Sequence, residues 1–123
     1  MGIRLSGIAF VVAVLLWSPA PLLGHHGAAT FDTENEITLK GTVQEWRWSN
    51  PHCFLRFDVT DERGTVTWTV ETSHPIDMVR RGWSRTMFET GDEVTITLQP
   101  VKSGAPIGRV RSVVLPGGQK LGA

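Results

Sequence analysis

The sequence is poor in the residues that build cross-linked scaffolds. Cys53 is the single cysteine among 123 residues, and tyrosine is absent. One cysteine cannot form an intrachain disulfide, so a disulfide-stapled fold is excluded. A lone thiol also excludes CxxC redox and zinc motifs. Because Cys53 alternates with Leu55 and Phe57, we interpret it as a buried, inert thiol.

The chain also lacks an excess of either charge. Twelve lysines and arginines balance twelve aspartates and glutamates, and the formal net charge is zero. Proteins that bind nucleic acid neutralise phosphates with a basic surface. The composition therefore does not favour a nucleic-acid partner, and the sequence has no acidic or basic tail.

No catalytic motif occurs in the sequence. It contains no glycine-rich phosphate loop, HExxH or GxSxG. Ser73 stands beside His74, but neighbours in sequence need not face each other, so this pair is not read as a dyad. Because nothing assembles a nucleophile, a base and an orienting group, we expect a protein that is not an enzyme.

The sequence does contain an apolar leader over residues 1–24. Arg4 is its only charge, and the apolar run Ile8–Trp17 follows. A basic start, an apolar middle and a small-residue exit are typical of a secretory signal peptide. We predict cleavage after Gly24 and a single periplasmic domain over 25–123, with membrane contact only through the leader before cleavage. The alternative is an uncleaved anchor, although the run is short for a bilayer span of about 20 residues.

The first strand is predicted over "EITLKGTVQEW", where apolar residues alternate. Gly41 inside it marks a bend or a close backbone approach. The alternation then slips, because Trp46 and Trp48 fall on the opposite parity to Val43. A bulge near Gln44 and Glu45 would return both tryptophans to the face of Val43.

Alternation and turn residues predict four more strands and one short helix. Pro75 suits the first turn of the helix, and Gly82 is placed to end it. The order strand, strand, strand, helix, strand, strand predicts a mostly β domain, a small five-stranded OB-like Greek-key barrel, with a flexible N-terminal arm over 25–36. An open α+β sheet is the alternative. The strand-defining sets are Cys53, Leu55, Phe57 and Val59; Val66, Trp68 and Val70; Val94, Ile96 and Leu98; and Arg109 to Leu115.

Two tryptophans and the "SNPH" loop are the candidates for binding a ligand. Aromatic side chains on an OB-type face can stack on bases or sugars, whereas core packing is the alternative for each. Packing is favoured for Trp68 and Trp83 and left open for the other two. For the loop histidine, the alternative is a hydrogen bond to the backbone. The ligand-binding candidates are Trp46, Trp48, Asn50 and His52.

His25 and His26 are candidates for binding a metal. With cleavage after Gly24, His25 becomes the N-terminal residue, and its amine and imidazole can chelate one ion. His26 or His52 would add a further nitrogen. Such ligands favour Cu(II), Ni(II) or Zn(II). The alternative is a solvated chain end without a chemical role.

Several stretches resemble a bacterial exported family known as domain of unknown function 6152. They are "HHGAATFD", "LKGTVQEWRWSNPH", "WTVE", "RRGW" and "GDEVTI", and the resemblance runs from about His25 to Leu121. It implies a small exported β-rich domain without an established activity, and a native histidine pair rather than a tag. Gly27, Cys53 and His74 depart from the family pattern, which indicates that Cys53 and His74 are local variations.

These observations lead to two functional hypotheses. The first is an exported, non-enzymatic binding or interaction module for an uncharacterised small ligand or periplasmic protein, with no cofactor. The alternative is a periplasmic Cu(II)-binding protein that uses the N-terminal histidine pair.

Overall fold

The structure of the protein, a computed structural model, describes residues 30–123. The predicted leader over 1–24, His25 and His26 lie outside the described residues. The described part is mostly β with one short helix, as predicted. Its elements are β1 (Ile37–Arg47), β2 (Phe54–Asp61), β3 (Gly64–Glu71), α1 (Pro75–Arg80), β4 (Glu93–Pro100), β5 (Ile107–Val114) and β6 (Lys120–Gly122).

The first five strands close into a barrel. The sheet order is β3-β2-β1-β4-β5-β6, and a parallel pairing of β3 with β5 joins its two sides. β1 pairs with β2 along its second half and with β4 along its first half. These are the pairings that an OB-like barrel requires, so the predicted fold is confirmed and the open sheet is excluded. β6, which the sequence did not predict, adds to the edge of β5.

The predicted bulge lies in β1. The register of β1 against β2 shifts between Val43 and Glu45. Beyond the shift, Trp46 and Trp48 are half-buried and pack against the hydrophobic core. The bulge thus returns both rings to the face of Val43, because one extra residue reverses the alternation of side chains.

Gly41 allows β1 to cross close over β2. A Cβ atom at this position would lie 2.4 Å from the Asp58 carbonyl oxygen and 2.7 Å from Cδ2 of Phe57. Both distances are well inside van der Waals contact. The close backbone approach predicted at Gly41 is therefore present, and only glycine fits there without a shift of β2.

The core occupies the inside of the barrel and follows the predicted alternation. Cys53 is buried as expected, and its Sγ lies 3.9 Å from the Ser49 carbonyl oxygen. The inward residues of β2, β4 and β5 meet those of β1 and β3 inside the barrel. The buried members are Val43, Cys53, Leu55, Phe57, Val70, Met78, Trp83, Phe88, Val94, Ile96, Leu98, Val110 and Val113.

α1 begins at Pro75 and ends before Gly82, whose φ of 89° suits glycine. Both bounds agree with the prediction. Its one buried residue is Met78, whereas Ile76 and Val79, which share a face, point to solvent. Within the part of the chain that the structure describes, no helix has the length and apolar character needed to cross a bilayer.

The described end of the predicted N-terminal arm lies against the barrel. Phe31 is buried and forms an isolated β-bridge with Val101. The backbone N–H of Asp32 donates to the Pro100 carbonyl. The Arg109 guanidinium lies 4.6 Å from the centre of the Phe31 ring, at cation–π distance. Residues 25–29 of the arm are outside the described range.

Candidate ligand-binding site

Trp46 lies inside an aromatic cluster. Its ring centroid is 5.9 Å from that of Trp48, 5.8 Å from that of Trp83 and 5.1 Å from that of Phe88. Its indole N–H donates to the Ser84 carbonyl at 3.1 Å. These contacts join the end of β1 to the loop after α1. They are the contacts of a packing residue, and a ligand-binding role for Trp46 stays a prediction.

Trp48 differs from the other indoles in its hydrogen bonding. The N–H of Trp83 donates to the Gly122 carbonyl at 2.7 Å, and that of Trp46 is also bonded. Among residues 30–123, the half-buried Trp48 has no acceptor for its N–H, and no side-chain nitrogen is buried without a partner. The Trp48 N–H is therefore open to solvent or to a ligand.

The β1–β2 loop carries the other two candidates. Asn50 is exposed and is followed by a cis peptide bond to Pro51. His52 is half-buried, and its Nδ1 lies 2.7 Å from the Thr72 carbonyl oxygen. A carbonyl only accepts, so in the neutral ring Nδ1 carries the proton and Nε2 keeps its lone pair. The ring of His74 is near, 6.4 Å away between centroids.

A groove on the outside of the barrel lies beside this loop. It consists of two cavities of about 190 Å³ each, and both are lined by Phe54 and Thr69. Strand register explains the arrangement, because Phe54 pairs with Arg47 on β1 and with Glu71 on β3. We call this feature the outer groove. Its lining residues are Glu45, Arg47, Phe54, Arg56, Thr69, Glu71, Ile107 and Gly108.

One end of the outer groove carries excess positive charge. The Arg47 guanidinium donates to Glu45 at 2.8 Å, and that of Arg56 donates to the other oxygen at 3.4 Å. The hydrogen bond from Arg47, reinforced by the charges of both arginines, holds the pKa of Glu45 below its ordinary value. Two guanidiniums thus share one carboxylate, which leaves one positive charge for a ligand.

The other end of the outer groove is electrically neutral. Glu71 is buried, and its Oε1 lies 3.4 Å from a guanidinium nitrogen of Arg109. Arg109 in turn covers the ring of Phe31. Between the two ends, Phe54 and Ile107 supply apolar surface. The groove therefore combines an aromatic floor with positive charge at one end.

A larger cavity of about 480 Å³ lies between the start of β4 and the turn after β5. Lys40 and Glu93 at its wall pair with each other at 3.9 Å. Asp92, a third charged wall residue, accepts a hydrogen bond from the Glu89 backbone N–H. Its charged side chains are thus already engaged and it has no aromatic floor, so we regard the outer groove as the better candidate.

The metal hypothesis depends on residues beyond the described range. Among residues 30–123, no group of three or more histidines, cysteines, aspartates or glutamates is placed to hold a metal ion. His25 and His26 lie outside that range, and only His52 of the predicted set is described. Metal binding therefore stays a prediction.

The outer groove was not predicted from the sequence, although one signal for it exists. In "CFLRF" the inward residues are Cys53, Leu55 and Phe57, so Phe54 places a large ring on the outward parity of β2. Outward apolar residues are common on protein surfaces, so the pattern alone does not distinguish a binding floor. The structure adds the neighbours that make Phe54 notable.

Comparison with known proteins identifies the family. The model of the family of unknown function DUF6152 matches residues 14–110, so the chain belongs to this family. A crystal structure of the ZRD-deleted mutant of TiaS in complex with agmatine is similar, with a TM-score of 0.49 and 17% identity. The match covers 66% of this chain and 21% of that protein, so it spans about a fifth of the neighbour's length. No protein with a curated description matches the chain.

Proposed function

We propose that this member of the DUF6152 family is an exported, non-enzymatic binding module that holds a small ligand in the outer groove. One observation carries the proposal: two cavities that share Phe54 and Thr69 form a continuous groove with an aromatic floor. Concave sites with apolar walls and a few placed polar groups are typical of small-molecule binding.

The charges around the outer groove indicate the chemistry of the ligand. Arg47 and Arg56 share only Glu45, so an anionic group at that end would gain charge-assisted hydrogen bonds. A flat apolar body would cover Phe54 and Ile107. These features favour a small apolar monocarboxylate. Because the groove is shallow and the arginines are half-exposed, we expect Kd values of about 0.1–1 mM.

Benzoate is a suitable probe for the outer groove. We expect a titration followed by amide NMR shifts to perturb residues around Phe54 and Arg56. Benzyl alcohol, which keeps the ring and lacks the charge, should bind more weakly. Arg56→Gln should weaken benzoate binding about fivefold or more, because it removes a charged donor. Arg111→Gln is the matched control, since the Arg56 and Arg111 side chains are 51% and 49% exposed and each is paired with a glutamate.

Two outcomes would count against the groove. Absence of any benzoate-dependent shift would remove the proposed ligand class. Shifts confined to Trp48, Asn50 and His52 would instead move the site to the β1–β2 loop. In either case the Arg56→Gln variant would behave like the control.

Export is part of the same proposal and rests on the predicted signal peptide over residues 1–24. Mass spectrometry of the chain recovered from the periplasm of an expressing bacterium would test it. A mature chain that begins at His25 is the expected result. Retention of residues 1–24 in all of the protein would contradict it.

Periplasmic Cu(II) binding is a second candidate, favoured by the hydrogen bond between His52 Nδ1 and the Thr72 carbonyl. Histidines that bind metals usually donate their second N–H to such an acceptor, and this leaves Nε2 of His52 as a ligand. Phe31 reaches the same region, because it lies against Arg109, whose partner Glu71 precedes Thr72. His25 and His26 would supply the remaining nitrogens.

The test is a Cu(II) titration of the correctly processed chain. We expect His25→Ala and His52→Ala to lose affinity, and His74→Ala, the control, to keep it. Affinity should fall as the pH is lowered, because the imidazoles must be deprotonated to bind. Affinity no tighter than that of a free peptide with the same N-terminus would exclude a folded site.

A further inference from the structure

We propose that the α1 end of the barrel docks on an anionic lipid bilayer. The docking face, which we call the α1 surface, consists of Ile76, Val79, Arg80, Arg81 and Arg85. It is separate from the outer groove, and the inference does not rest on the proposed ligand. It extends the expected membrane contact from the leader to the folded domain.

The α1 surface exposes two aliphatic side chains next to each other. Ile76 is 68% exposed and Val79 is 59% exposed. They lie three positions apart, so they neighbour each other on the same side of the helix. Among residues 30–123, Val66 is the only other large hydrophobic residue with comparable exposure, at 49%. α1 thus turns its apolar pair outward and anchors itself through Met78 alone.

Three arginines follow this aliphatic pair in the sequence, at positions 80, 81 and 85. Arg80 forms an ion pair with Asp77 at 3.8 Å, and Asp77 also faces His74 at 3.6 Å. Arg81 and Arg85 are exposed and have no ion-pair partner in the described range 30–123. The chain as a whole has no net charge, so this end concentrates positive charge that other regions balance. Unpaired guanidiniums beside exposed aliphatics suit an anionic, partly apolar partner.

Trp48 lies at the same end of the molecule as the α1 surface. The hydrogen bond from Trp46 to the Ser84 carbonyl fixes the end of β1 beside the segment that carries Arg85. Trp48 contacts Trp46 edge to face, and its own N–H has no acceptor in residues 30–123. An apolar ring with a free N–H is suited to the boundary between lipid and water.

A bilayer fits these groups better than a small anion does. None of the three cavities described above is lined by a residue of α1. The surface combines two exposed aliphatic side chains with exposed arginines. A lipid leaflet offers phosphates that can pair with guanidiniums and acyl chains that can contact Ile76 and Val79. Binding should therefore need both the anionic headgroups and the aliphatic side chains.

Vesicle co-sedimentation of the processed chain, which is expected to begin at His25, tests the proposal. Vesicles of phosphatidylcholine mixed with an equal amount of phosphatidylglycerol should bind at least tenfold more tightly than pure phosphatidylcholine. Each arginine near an anionic surface contributes about fivefold, so Arg81→Gln with Arg85→Gln should weaken binding about 25-fold. Ile76→Ser with Val79→Ser should also weaken it. The wild type and every variant are compared in the same processed form, so the leader over residues 1–24 does not contribute to the measured binding.

The β2–β3 hairpin provides matched controls. Val66→Ser and Arg63→Gln change an exposed aliphatic residue and an exposed arginine away from the α1 surface. Both should bind vesicles like the wild type, and all variants should keep the wild-type melting temperature. Added salt should weaken binding, since it screens exposed charges. Absence of binding to phosphatidylglycerol vesicles, or equal losses in the hairpin controls, would overturn the proposal and leave the surface to a protein partner.

Discussion

The two faces of β2 differ in how deeply their side chains are buried and in what constrains them. Leu55 is 0% exposed and points into the barrel, whereas its neighbour Phe54 is half-buried on the outside. The inner face is fixed by packing, because each side chain must fill a space left by the other strands. The outer face has no such constraint, so a large ring and paired charges there are available for recognition. The comparison indicates that inner residues specify the fold and that outer residues hold the candidate function.

Leu55→Ala should give the largest effect on the inner face. Removing a fully buried leucine side chain loses its transfer free energy and leaves a cavity, which costs about 2–5 kcal/mol. Urea denaturation followed by tryptophan fluorescence measures the change in the free energy of unfolding. A loss below about 1 kcal/mol would show that the barrel interior is not packed as described.

Gly41→Val tests the close approach of β1 and β2. The new side chain would meet the Asp58 carbonyl and the Phe57 ring, so we expect destabilisation of about 1–3 kcal/mol. Gly117→Val is the control, because a Cβ there has no heavy atom within 4 Å. Equal melting temperatures for the two variants would contradict the close approach at Gly41.

Phe54→Ser tests the outer face. Because the ring is only half-buried, its loss should lower the free energy of unfolding by at most about 1 kcal/mol. The same substitution should raise the Kd for benzoate about tenfold, since it removes the floor of the groove. If Phe54→Ser lowers the free energy of unfolding as much as Leu55→Ala does, Phe54 is part of the core and the two faces of β2 do not differ in this respect.

The smallest effect concerns the pKa of Glu45. Arg47 and Arg56 lower it from the ordinary 4.5, so the carboxylate stays charged to a lower pH when the protein is folded. The associated stabilisation is present above pH 4.5 and is lost as the pH falls through the lowered pKa. An NMR titration of the Glu45 carboxyl carbon measures the midpoint. Arg47→Gln should move it back toward 4.5, and an unchanged midpoint would contradict the pairing.

The inner face explains how much of the fold was predictable. Alternation around Leu55 and Val70 identified the strands, and the slip before Trp46 identified the bulge. β6 was missed because main-chain bonds, such as that from the Ala123 N–H to the Arg111 carbonyl, leave no side-chain pattern. The helix was located correctly, but helical spacing shows only that Ile76 and Val79 share a face. Whether that face meets the core depends on how the helix lies on the barrel.

The site was less predictable for a related reason. The hydrogen bond of His52 to a backbone carbonyl was one of two alternatives that the sequence left open. The outer groove requires Arg47, Phe54 and Glu71 to stand in one row across three strands, and that row depends on register. Register follows from the bulge and the barrel closure, which local patterns do not determine.

The pairing of β1 with β4 has a consequence for the order of events after synthesis. Ile37, the first residue of β1, pairs with Leu98, near the end of β4. Glu71 on β3 pairs with Arg109 on β5, which is synthesised later. The earliest strand to leave the ribosome therefore lacks its second partner until β4 has been made, and such long-range pairings form slowly. Nascent chain that emerges before β5 cannot complete the barrel. A polypeptide with this topology cannot complete its fold until β5 has been made, which is compatible with the export proposed above.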